Sequence, residues 1–146
     1  VSNFEDFEIG MVFEHPLTKT ITQEENHSFC LATMNHHRLH LDHEYAASTQ
    51  FGQPVVVGTL VLSVAVGITV EDISSGCIAN LGYDKVRHHN PVFGGDTIRC
   101  ITKVVNSRIS SSNEGRGIVT VNTEVYNQSD KMVISFQRSM IFEVKE

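Results

Sequence analysis

The chain has 146 residues, of which 40% are apolar, 8% aromatic and 19% charged, with a formal net charge of −6. That profile is globular rather than disordered, and a domain spans roughly 100–200 residues, so a single domain over residues 1–146 is expected. A domain of this size buries about two thirds of its unfolded surface and needs neither disulfide nor metal to fold. The acidic balance argues against a nucleic-acid binder, which carries a basic face. Cys30, Cys77 and Cys100 form no C-x-x-C pair and read as reduced thiols. The acidic start VSNFEDFEIG lacks signal-peptide order. The longest uncharged apolar run, Val55 to Val70, is short for a membrane span and interrupted by Gly58, Thr59, Ser63, Gly67 and Thr69. A cytoplasmic protein without a membrane partner is the expectation.

Residues 11–21 read as a strand in which Pro16 marks an edge position or a bulge. Thr22 and Glu25 have capping-box spacing and open a helix ending near Met34. The His-rich stretch Asn35–Asp42 is expected to be an ordered loop, and His43–Ser48 a short helix. Residues 54–76 are apolar on nearly every face. A helix from Gly58 to Asp72 and a pair of buried strands, favoured by Val55–Val57, both fit; the length favours the helix. A helix apolar all round is buried on all sides.

Four strands follow, over 77–89, 97–109, 117–127 and 132–144, with turns at 91–96, 111–117 and 128–131. Period-two spacing puts Ile98, Cys100 and Val104 on one face, as it does Val119, Val121 and Val125. In the last strand Ile134, Phe136, Met140, Phe142 and Val144 share a face that Arg138 interrupts. The fold class is therefore α+β, a mainly antiparallel sheet curved around one long helix.

His36, His37, His40 and His43 cluster between Asn35 and His43. Imidazole titrates nearest neutral pH, so a fixed histidine moves a proton at low cost. The bland reading is a solvated loop whose histidines do nothing. A metal site is a third, because His36 and His40 are i,i+4 and His37, His40 and His43 are i,i+3. No H-E-x-x-H occurs and the flanks do not read as a regular helix, so no metal is expected. Gly58 opens the apolar helix, where unpaired backbone N–H groups and the positive dipole end suit a developing oxyanion. Glycine before a packed helix is more often structural, and only the neighbouring histidines add weight.

The stretch FCLATMNHHRLHLDHEYA, residues 29–46, resembles the signature of the MaoC-like, or (R)-specific, enoyl-CoA hydratases, whose loop reads S-G-D-x-N-P-x-H. The resemblance continues through FGQPVVVGTLVLS (51–63), LGYDKVRHHNPVFGGDT (81–97) and the GIVTV and NQ of the last half. It covers nearly the whole chain, and its later motifs are nearest in tone to the branch handling mesaconyl-, methylmalyl- or itaconyl-type thioesters. It implies a hot-dog fold and a hydratase or dehydratase acting on an acyl-CoA. It also implies no cofactor beyond the coenzyme A of the substrate, and a homodimer or larger homo-oligomer whose sheets pair edge to edge. Carried over, the catalytic histidine falls on His40, the catalytic aspartate on Asn35, the asparagine on His37 and the proline on Arg38. The glycine meeting the thioester carbonyl falls on Gly58, and the helix serine on Ser63.

Asparagine hydrogen-bonds a water but cannot take its proton. Two accounts follow. In one, His40 is the only acid/base, Asn35 orients the water and His37 supports them. In the other, the chain is a non-catalytic acyl-CoA-binding partner subunit. Arg38 either clamps a substrate carboxylate or points to solvent. Lys85, Arg87, Arg99 and Arg116 either meet the phosphates of coenzyme A or form the wet face of a sheet. Asp42 is expected to cap the short helix, Asp96 to sit in a turn, and Cys77 and Cys100 to be core thiols. The nearest rival activity is a hot-dog thioesterase. Those enzymes place a carboxylate on or near the central helix, which here carries none before Glu71 and Asp72.

Overall fold

Strand β4 (Arg116–Tyr126) buries every second residue without a break, the signature of a sheet with one face on a core. The computed structural model describes residues 1–145. A 3-10 turn (Phe4–Asp6) precedes β1 (Val12–Thr20), followed by the helices α1 (Gln23–Ala32), α2 (Arg38–Leu41), α3 (His43–Ala47) and α4 (Gly58–Thr69). A π-turn (Val70–Ser74) extends α4, and β2 (Ala79–His88), β3 (Thr97–Ile109), β4 and β5 (Met132–Glu143) complete the chain. The strands form one antiparallel sheet in the order β1-β3-β4-β5-β2. It packs against α4, as the hot-dog resemblance implies.

Local sequence explains the boundaries. Between Glu14 and Thr18 the β1–β3 register shifts, and Pro16, which has no N–H to give, sits in that bulge on an edge strand. The α1 capping box is formed, with Glu25 N donating to Thr22 Oγ1 at 3.1 Å and Thr22 N donating to Glu25 Oε1 at 3.0 Å. Lys19 first and then the Thr22 N–H hold the Glu25 carboxyl below its usual range. Val61, Ala65 and Ile68 of α4 pack with Ile98, Cys100, Val125, Ile134 and Phe136. A second cluster, including Phe7, Ile73, Val104, Val119, Met140 and Phe142, fills the far end. Burial pushes the Cys100 thiol up to about 12, an inert core thiol.

Two expectations are corrected. The stretch Asn35–Asp42 is not all loop, because α2 forms a single turn within it. Its nucleus is a side-chain cap, since Leu39 N donates to His37 Nδ1 at 3.0 Å. Nor is α4 buried on all sides: Thr59, Ser63, Gly67 and Val70 form an exposed stripe. The five-stranded sheet covers only one face of the helix. The opposite stripe is made of small or uncharged residues, which makes the segment look apolar all round in one dimension.

Candidate active site

The loop that carries the histidines is built by its own polar side chains. Helix α1 ends in a Schellman arrangement, with Asn35 N donating to Cys30 O at 2.8 Å and Met34 N to Leu31 O at 3.3 Å. That turn needs a left-handed residue, and Met34 takes it with φ 65°, at the position of the glycine in S-G-D-x-N-P-x-H. Asn35 Oδ1 then accepts from His37 N at 3.1 Å, and His37 caps α2. Asp42 caps α3 by accepting from Tyr45 N at 3.0 Å. That N–H and then the Arg38 guanidinium hold the Asp42 carboxyl below its usual value.

His40 is what this scaffold delivers. Its Nδ1 lies 2.7 Å from Val55 O. A carbonyl only accepts, so Nδ1 carries a proton, and the tautomer this selects has its lone pair on Nε2. Nε2 has no partner among the described residues. His40 lines a cavity of about 360 Å³ together with Gly58, Phe51, Val61, His88 and Val133. Gly58 is the first residue of α4, and its N-cap Val57 offers no side-chain cap. Leu60 N donates to Val57 O at 3.0 Å, and the Gly58 and Thr59 N–H groups are left without an acceptor among the described residues.

Asn26 holds the two halves together. It is fully buried, and its Nδ2 donates to His40 O at 3.2 Å and Val55 O at 3.3 Å while its Oδ1 accepts from Val57 N at 2.9 Å. One carboxamide thus fixes the backbone of His40, the carbonyl that sets its tautomer, and the residue before Gly58. Nothing in its sequence neighbourhood marks it, since a polar residue in a polar helix reads as solvated. His88, His89 and Asn90 also line the cavity and were not singled out from sequence. The paired imidazoles before Asn90-Pro91 were the available signal.

The remaining candidates lie apart. Asn35, His37, Arg38 and Ser63 do not line the cavity. Arg38 is paired with Asp42 at 3.2 Å and lies 4.5 Å over the Tyr45 ring. That engagement matches the solvent-facing reading better than a substrate clamp. Arg99 pairs with Asp130 at 2.8 Å, while Lys85 and Arg87 stay exposed on β2. Among the described residues no three His, Cys, Asp or Glu side chains converge as a metal site would require.

The family described as "MaoC like domain" matches residues 5–127. The chain belongs to that family. It is 32% identical over 135 residues to the mesaconyl-CoA hydratase of Cereibacter sphaeroides, covering 92% of this chain and 39% of that protein. It is 32% identical over 136 residues to the beta-methylmalyl-CoA dehydratase of Chloroflexus aurantiacus, covering 92% and 38%. This MaoC-like chain therefore spans about two fifths of the length of those curated relatives. An Archaeoglobus structure described as a monoamine oxidase regulatory protein superposes with a TM-score of 0.90 at 35% identity, covering 99% of this chain and 96% of that one. No helix is long and apolar enough to cross a membrane among the described residues.

Proposed function

We propose that this chain adds water to, or removes it from, a 2-enoyl-CoA thioester. The observation that carries the reading is the tautomer of His40: its Nδ1–H is committed to Val55 O and its Nε2 is unpaired on a cavity shared with Gly58. The Gly58 N–H polarises the thioester carbonyl and lowers the cost of charge at C2. His40 Nε2 takes a proton from water as the oxygen bonds to C3, then returns it to C2; dehydration runs the same steps backwards. The scheme uses no metal or redox cofactor, because the thioester itself acidifies C2.

The Asn35 carboxamide acts through the loop, capping the turn that aims His40, with His37 capping the next. Both MaoC-like relatives named above act on acyl groups that carry a second carboxylate, which supports a branched or dicarboxylic acyl group. The mainly apolar walls, Phe51, Val61 and Val133 among them, fit a short branched chain. A second copy of the chain is the proposed partner. Strand β2 is a sheet edge, with Ile78 beside it and Leu81 and Tyr83 on it all exposed. The outer stripe of α4, with Ser63, is exposed as well. Pairing along β2 would cover that edge.

A non-catalytic binding subunit is the second reading. It is favoured by Asn35, whose carboxamide oxygen accepts from the backbone N–H of His37. Absorbance at the enoyl-thioester band separates the two, using crotonyl-, mesaconyl- and itaconyl-CoA. Wild type should bleach the band, and His40→Ala should slow it about 10²–10⁴-fold. Binding without bleaching by any substrate would establish the second reading.

A further inference from the structure

The cavity holds a second imidazole to which the scheme above gives no task. His88 ends β2 and reaches the start of α4 across the cavity. A Cβ built on Gly58 would lie 2.4 Å from His88 Cε1 and 3.0 Å from each ring nitrogen. The N–Cε1–N edge of the ring therefore fills the space that only a glycine leaves open. Both nitrogens straddle the Cβ position of Gly58, the residue to which the scheme above assigns the thioester oxygen.

The other polar side chains of the cavity are each held by a hydrogen bond at one atom. His40 Nδ1 is held by Val55 O, His89 Nε2 lies 2.7 Å from Ser135 Oγ, and Asn90 Nδ2 donates to Met132 O at 2.8 Å. Among the described residues, the His88 ring makes no hydrogen bond. An imidazole with an unspent N–H against the first residue of a helix is suited to polarise a carbonyl, and it does so without giving up its proton.

We propose that His88 is the side-chain arm of the oxyanion hole, its ring N–H joining the Gly58 N–H on the thioester oxygen. The proposal rests on the hydratase reading and deepens it. As the water oxygen bonds to C3 and its proton passes to His40 Nε2, the C2=C3 pair moves onto the C2–C1–O unit. The enolate oxygen then carries the charge that His88 and Gly58 share. When C2 takes the proton back from His40 the charge leaves, and His88 holds its own proton throughout.

Two variants separate donation from proton transfer. His88→Gln keeps an N–H donor and no titrating ring, whereas His88→Phe keeps a flat ring and no donor. Loss of one such donor lowers turnover by about 10²–10³. His88→Phe should therefore lose that factor in kcat on crotonyl-CoA with KM within a few-fold, and His88→Gln should recover to within about tenfold of wild type. The second readout is the carbonyl ¹³C resonance of bound [1-¹³C]butyryl-CoA, a saturated thioester that cannot be hydrated. It should move downfield in wild type, His40→Ala and His88→Gln, and move less in His88→Phe. Equal kcat losses for Gln and Phe, or a Phe variant as fast as wild type, would overturn the role while leaving the hydratase reading intact. A wild type that hydrates no enoyl-CoA would sink that reading instead. The ¹³C shift then decides alone whether His88 polarises the carbonyl, an unchanged shift in His88→Phe refuting it.

Discussion

The two ends of α4 carry histidines in opposite states. At the far end His15 is buried, with Nδ1 2.8 Å from Asp72 Oδ2 and Nε2 2.8 Å from Thr102 Oγ1, which meets Thr123 Oγ1 at 2.9 Å. Arg138 Nη2 donates to Oγ1 of Thr69, the last residue of α4, at 2.8 Å. At the near end His40 leaves one ring nitrogen unpaired and His88 leaves both, against a cavity and an uncapped helix start. A histidine with both nitrogens spent stabilises the fold. One held by a single nitrogen has the other left for chemistry.

The comparison breaks first at Gly58. In Gly58→Ala the new methyl would sit where the His88 ring lies, so the ring must swing away. Turnover should fall by about 10²-fold, while thermal melting changes little because the displaced ring is exposed. An unchanged kcat would show that the near end tolerates disorder as the far end would not. The far end should give the converse. His15→Ala strands Asp72 and Thr102 and empties a packed site, costing about 2–4 kcal/mol in urea unfolding, with kcat of the folded fraction unaltered. A kcat loss there, without loss of stability, would erase the distinction.

Between the ends, the loop carries a strain that substitution can release. Met34 holds φ 65°, and a side chain in that region costs about 1–2 kcal/mol. Met34→Gly should raise stability by about 1 kcal/mol and leave kcat within twofold if the loop keeps its shape. The smallest effect is acidic. Asp42 has a lower pKa folded than its unfolded 3.8, so its stabilisation is complete above that value and fades as pH falls through the folded pKa. Melting followed from pH 5 to pH 2 should therefore fall more steeply for wild type than for Asp42→Asn.

Features governed by local chemistry were legible in the sequence. The Pro16 bulge, the Thr22–Glu25 box, the Asp42 cap and the four later strands each follow from neighbouring residues, and each is present. His40 and Gly58 were legible through the family motif and share one cavity. What escaped depends on residues distant in the chain. His88 matters because it meets Gly58, thirty residues earlier, and Asn26 because it bonds His40, Val55 and Val57. The open stripe of α4 escaped for a related reason. Apolar composition does not say which faces of a helix its sheet covers.

The most direct test of the contrast between the two ends is the ¹⁵N spectrum of the imidazoles, taken with and without butyryl-CoA. The neutral tautomer of His40 should carry its proton on Nδ1, and its Nε2 resonance should move when the thioester binds, while both His15 nitrogens stay fixed. A His40 proton on Nε2, or a ligand response at His15 and none at His40, would contradict the account.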